Sequence, residues 1–196
     1  IIYCKLTVFI GVHVGYHRYF THSAFKTTPF KHKLLCWLGF LSGEGSAVSY
    51  VVFHHHHHVN ADKKNDIQSP LRGFWNSTMW VLRSPKYLKD NQISNFPKHI
   101  YRDPTVKFIT NNYYLLWTVF GAIALLISWK FFLFFVLMPA GIGILNTNIV
   151  TNTLLHTKLP GSYRNYNTND NSYNNRWLLA WQLGEGLHNN HHKFPF

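Results

Sequence analysis

The sequence predicts an all-α protein: a membrane-embedded helical bundle with a polar, histidine-rich cap that holds metal. Three observations lead there. Charged residues make up 13% of the chain and aromatic residues 17%, whereas soluble domains carry about 25% charged residues. Apolar residues are concentrated into runs long enough to enter or cross a bilayer, while Asn- and His-rich stretches pull the mean hydropathy down to -0.11. Fourteen histidines occur in 196 residues, most of them in a few short clusters, and neutral imidazole is the commonest protein metal ligand.

A net charge of +12 with histidines neutral asks for an anionic partner or surface. The apolar runs argue against nucleic acid, so lipid head groups, an anionic substrate or an acidic electron donor fit this charge. Cys4 and Cys36 lie in apolar stretches outside any C-x-x-C, which sets aside a disulfide framework and a thiolate metal site. The length suits one domain with its own core.

From the N-terminus, residues 1–16 read as part of a transmembrane helix, and an apolar run at the very start makes the chain read as truncated at both ends. The run leads into His17 and His22. Five residues apart on an α-helix puts two side chains about 140° apart, so the pair suits two neighbouring metals or a helix end that bends. His13, deeper in the run, reads as a buried, hydrogen-bonded histidine. Residues 34–53 are long enough to span, but one crossing would separate His17 from His54 by the bilayer, and Glu44 at bilayer depth would be costly. A buried or re-entrant helix pair, leaving on the side it entered, is expected instead.

His54, His57 and His58 sit within five consecutive histidines, and His188, His191 and His192 repeat their H-x-x-H-H spacing. On a helix these positions share a face, so the imidazoles of each box are expected to converge on one point. Residues 59–112 are polar and basic, and Pro70, Pro85, Pro97 and Pro104 break any long helix, giving a surface cap of short helices and loops. Apolar runs at 113–129 and 131–155, parted by Ser128, Trp129 and Lys130, read as two spanning helices joined by a tight turn. Only Lys5 and Lys130 of nineteen Lys and Arg then fall toward the far side, so the positive-inside rule places the histidine clusters in the cytoplasm. Asn152 and His156, four residues apart, share a helical face there. Residues 161–176 form an Asn-rich loop, followed by a helix over 177–192 that carries the last box; with it, residues 156–196 make up a cytoplasmic histidine-box segment.

Together and in order, GYHRYFTH, the histidine run with Asp62, Asp66 and SPLRGFW, then NTLLH, NTNDNSYNN and GEGLHNNHHKFP resemble the integral-membrane fatty acyl desaturases. The likeness covers nearly the whole chain and is greatest to the branch of acyl-CoA and acyl-lipid Δ9 desaturases. It implies one desaturase domain over 1–196 in a bacterial inner membrane or endoplasmic reticulum, with a di-iron site in the cytoplasmic cap. It also implies O2-dependent introduction of a cis double bond into a fatty acyl chain, at Δ9. Carried over box by box, the iron ligands are His17 and His22, then His54, His57 and His58, then His156, and finally His188, His191 and His192. Asn152 matches a position that approaches one metal directly or through water. Asp62, Asp66, Asp170 and Glu185 are implied as carboxylates behind the imidazoles, and no catalytic residue beyond the ligands is implied. Two iron ions with O2 as co-substrate, an acyl-CoA or acyl-lipid substrate, a donor of ferredoxin or cytochrome b5 type and membrane lipids complete the implied set. The chain departs from the pattern at His55, where Arg is usual, at Ser23, at Ile67 and Gln68, which replace a Pro-His pair, and at Leu187, which replaces an aromatic.

The chemistry agrees with the ligand type. An unactivated methylene has no acidic proton, so a redox metal that activates O2 is required, and the protein supplies placement and electronics. A membrane hydroxylase or ketolase with the same boxes is the first alternative, and a non-catalytic metal-binding membrane protein the second.

Overall fold

The computed structural model describes residues 1–79, 97–182 and 184–195; Pro85, one of the four prolines expected to interrupt the cap, lies outside them. Helices dominate. Among the described residues the exception to an all-α architecture is a two-residue antiparallel hairpin within the Asn-rich loop, β1 (Ser162–Tyr163) with β2 (Asn174–Asn175). The chain forms two compact units, Ile1–Phe53 with Phe96–Gly143, and His54–Asn95 with Ile144–Phe196.

In the first unit, α1 begins at Ile2–Cys4 and continues through Lys5–Thr21 with π-type, i→i+5 hydrogen bonding. Its partner α2 (Pro29–Phe40) starts where the sequence supplies a cap: the Thr28 hydroxyl accepts the Lys31 N–H and Pro29 occupies the first turn. The two helices meet on glycine. A Cβ at Gly11 would lie 2.4 Å from the backbone of Leu38 and Gly39, and one at Gly39 would lie 2.3 Å from the Tyr16 ring. Small residues of this kind let helix backbones approach closely. We expect Gly11→Ala to destabilise the protein by about 1–3 kcal/mol through overpacking, because the obstructing atoms are backbone. In the same thermal denaturation assay Gly141→Ala, where an added Cβ meets nothing within 4 Å, is expected to be neutral or to stabilise by up to about 1 kcal/mol.

After α2 the chain turns through Gly43 (φ 79°) and Gly45 (φ 89°) into α3 (Ala47–Asn60). The positive φ values are the reason glycine stands at these two positions. Tyr16 is fully buried, with its hydroxyl 3.3 Å from Gly45 O, and the Gly45 N–H donates to the Tyr113 hydroxyl at 3.1 Å. Further along lie α5 (Lys98–Tyr101), α6 (Pro104–Asn111) and α7 (Tyr113–Ile127). Asp103 caps α6 by accepting the N–H groups of Thr105 and Val106. α6 and α7 together are apolar and long enough for a span but bend by 73° at the break between them. Ser128 is extended and caps α8 through the Phe131 N–H. α8 (Trp129–His156) runs for 28 residues, contains an 18-residue stretch of mean hydropathy 1.8, and is long and apolar enough to cross a membrane.

In the second unit, the histidine half of α3 is followed by a turn, a 3-10 turn at Pro70–Arg72 and α4 (Phe74–Thr78). The Ser77 and Thr153 hydroxyls, 2.7 Å apart, tie α4 to the end of α8. The helix expected over 177–192 is in fact two: α9 (Arg176–Trp181) and α10 (His188–Lys193). Gly184 adopts φ 105°, Gly186 passes so close to α9 that a Cβ would lie 2.4 Å from Leu179, and Leu187 bridges Asn174. The two glycines thus reverse the chain, and α10 is free to take its own direction. Trp181 Nε1 and Gln182 Nε2 donate to Asn146 Oδ1 and Thr151 Oγ1, which seats α9 against α8.

Candidate metal centre

The imidazoles of each H-x-x-H-H box do not converge on one point, contrary to the expectation from spacing. Adjacent residues on a helix are about 100° apart, so each His-His pair is split between two clusters. His54 and His58 bring their Nε2 atoms to 2.9 Å, and His191 Nε2 lies 2.9 Å from His58 Nε2. His57 turns the other way, to His156, His188 and His192. In this second cluster the Nε2–Nε2 distances are 3.3 Å for His57–His156, 2.9 Å for His156–His188 and 3.1 Å for His188–His192. All four ligand atoms lie within 4.8 Å of one another.

Three carboxylates stand behind this cluster. Nδ1 of His57 donates to Asp66 Oδ2 at 3.0 Å, Nδ1 of His156 to Asp62 Oδ2 at 2.8 Å, and Nδ1 of His192 to Asp170 Oδ2 at 3.0 Å. Each carboxylate is itself fixed. Asp62, held in a left-handed turn at φ 59°, also accepts the Asn171 N–H and the Ser69 hydroxyl. Asp66 accepts the N–H groups of Asp62 and Gln68. Asp170 accepts the Ser172 N–H and the hydroxyls of Ser172 and Thr168.

These partners assign the tautomers. A proton on Nδ1 leaves the Nε2 lone pair pointing inward, so His57 and His156 present two lone pairs to each other, an arrangement that a cation relieves. A metal bound about 2.0–2.1 Å from each imidazole nitrogen would set neighbouring donors roughly 2.9–3.4 Å apart, which the observed separations match. The donor set therefore fits a metal ion.

The electrostatics agree. Burial alone would raise the Asp62 carboxyl, but the hydrogen bond and charge of His156, with the Asn171 N–H and Ser69 hydroxyl, outweigh it and hold the group at about 2. Asp66 and Asp170 are likewise lowered: burial opposes, and His57 and His192 respectively prevail. Burial and then the neighbouring imidazoles push His188 well below the ordinary histidine range. Burial also lowers His192, to about 4, against the opposing hydrogen bond of Asp170. His57 alone of the three is raised, because Asp66 overcomes its burial. Ionised carboxylates behind the cluster, with His188 and His192 held toward their neutral form, are what a bound cation needs.

A model of the fatty acid desaturase family matches residues 1–195. The chain belongs to the fatty acid desaturase family. It is 28% identical over 190 residues to an sn-1 stearoyl-lipid 9-desaturase of Anabaena variabilis, covering 95% of this chain and 67% of that protein. It is 30% identical to Delta-9 acyl-lipid desaturase 1 of Arabidopsis thaliana, covering 94% and 60%, and 31% identical to a hex-5-enoyl-[acyl-carrier protein] acetylenase of Moorena producens, covering 94% and 62%. The chain spans between about half and two thirds of the length of the curated relatives it matches.

In this desaturase-family chain the remaining candidate residues fall as follows. His17 and His22, in the first unit, are not turned away from each other. The π-type end of α1, with the His22 N–H on His17 O at 3.1 Å, brings residues five apart onto one side, and the rings stand edge to face at 4.9 Å. His13 is buried and stacks on Phe9. Asn152 is buried where the π-type stretch Leu145–Thr151 ends, with its N–H on Thr147 O. Glu185 is buried in the turn before α10, its N–H on Gln182 O. His55 is exposed, and His56 packs its Nε2 on the Asn60 amide at 3.1 Å. We expect His55→Arg to preserve or raise activity in whole cells; complete loss would make His55 a ligand. Ser69, Thr168 and Ser172, which fix the carboxylates, were not singled out by the sequence. The signal was the Asx-turn spacing, an Asp side chain accepting the N–H two residues on, at Asp66–Gln68 and Asp170–Ser172.

Proposed function

We propose that this chain is the metal-bearing part of a membrane di-iron desaturase that introduces a cis double bond, at Δ9, into the acyl chain of an acyl-CoA or acyl-lipid. The observation that carries this reading is the set of four Nε2 atoms at 2.9–3.3 Å steps, three of them backed by an Asp carboxylate. His57, His156, His188 and His192 hold one iron. His54, His58 and His191 belong to the other, and His17 and His22 join the ligand set on the order of the boxes. Asn152 approaches a metal directly or through water, and Asp62, Asp66, Asp170 and Glu185 orient the ligands. When bound, the irons with O2 and two electrons supply the power to remove two hydrogens from adjacent methylenes.

What the residues themselves do is narrower. The carboxylates keep each proton on Nδ1 and each lone pair on Nε2, and burial keeps water from the donors. α8 and the bent α6–α7 pair sit in the bilayer with the boxes on its cytoplasmic side, in a bacterial inner membrane or the endoplasmic reticulum. The net charge of +12 receives anionic lipid or substrate head groups and an acidic electron donor of ferredoxin or cytochrome b5 type.

A version carrying the whole protein, expressed in a desaturase-deficient host, should yield new monounsaturated acyl chains. A product heavier by one oxygen would instead assign the hydroxylase reading. A triple bond would place it with the relative named as an acetylenase. No new product, with histidines occupied by zinc, would leave a non-catalytic metal protein.

A further inference from the structure

Resting on the metal reading above, we propose that Asn189, which sits inside the last histidine box and is not itself a ligand, is a positioning residue for the four-histidine cluster. Its side chain is fully buried and hydrogen bonded to the loop that carries Asp170. Oδ1 accepts the N–H groups of Asn165 at 3.0 Å and Tyr166 at 2.9 Å, which uses both of its lone pairs. Nδ2 donates to Tyr166 O at 3.1 Å, with the Thr168 and Ser172 hydroxyls at 3.4 Å.

Those two hydroxyls are the ones that hold Asp170 Oδ1, at 2.8 and 2.5 Å. A short chain of contacts therefore runs from Asn189 through Thr168 and Ser172 to Asp170 and back to His192 Nδ1 on the same helix. The next residue of the loop, Asn171, gives its N–H to Asp62, the carboxylate behind His156. One amide on α10 thus locks in place the loop that sets the orientation of His192 and steadies that of His156. The helix that supplies two donors of the cluster also fixes what stands behind them.

The test is a double-mutant cycle on the full chain in detergent, stripped of metal and titrated anaerobically with ferrous iron alone, with iron bound per chain and helix content both read. Asn189→Ala and Asp170→Asn are each expected to weaken one of the two irons roughly 10–100-fold at unchanged helix content, and the double variant to lose no more than the weaker single. Asn189→Asp, which keeps the acceptor for both N–H groups, replaces the alanine variant in the cycle if that one does not fold. Losses that multiply in the double variant would overturn the proposal. So would an Asn189 variant that folds in lower yield but binds both irons with wild-type affinity. A wild-type chain that binds no ferrous iron would instead bring down the metal reading itself.

Discussion

His191→Ala is expected to abolish double-bond formation and to lower bound iron from two per chain to one. His191 shares α10 with His188 and His192, yet its Nε2 faces His58 at 2.9 Å and its ring stacks on His54. Removing it takes a donor from that cluster and leaves the His57, His156, His188 and His192 set intact. The retained iron is then a control for folding within the same molecule, and the absent product reports that one iron is not enough. Metal analysis and fatty acid profiling on the same preparation check it. Desaturation at the wild-type level by this variant would refute the ligand assignment.

The boxes themselves were legible because H-x-x-H-H on a helix has few other uses and because the apolar runs between them are long. What the spacing hid was the sorting. A period of 3.6 residues gives His54, His57 and His58 a common face but does not say which ring turns to which metal; His156, distant in sequence, selects His57 at 3.3 Å and leaves His58 to His191. The angle between His17 and His22 departs from 140° for a related reason. The 140° separation belongs to i→i+4 winding, and α1 is wound one residue looser. Asp62 and Asp66 stood out as acids near a box, but that Asp62 serves His156 rather than its own box follows from a turn at φ 59°. The break in 177–192 was written in Gly184 and Gly186, and was masked by the apolar pattern running through them.

Asp62→Asn is expected to weaken iron binding at the four-histidine cluster roughly 10–100-fold and to remove most of the activity, with helix content unchanged. One oxygen, Oδ2, takes both the His156 Nδ1–H at 2.8 Å and the Asn171 N–H at 2.7 Å, while Oδ1 takes the Ser69 hydroxyl. Asparagine offers one carbonyl oxygen and one NH2. With the oxygen toward His156, the amide NH2 faces Ser69, whose hydroxyl can rotate to accept, so the shape survives. The charge does not. The carboxylate that is held at about 2 and stays ionised at neutral pH becomes a weak dipole, and the histidine loses the partner that makes its Nε2 a strong donor. With the amide reversed, NH2 faces Nδ1, the ring must take its other tautomer, and the proton lands on Nε2, pointing at His57 and His188. Either orientation weakens the site without touching a ligand. Titration with ferrous iron reads the affinity, and an Asp62→Asn chain that keeps wild-type affinity for both irons would show that His156 needs no anion behind it.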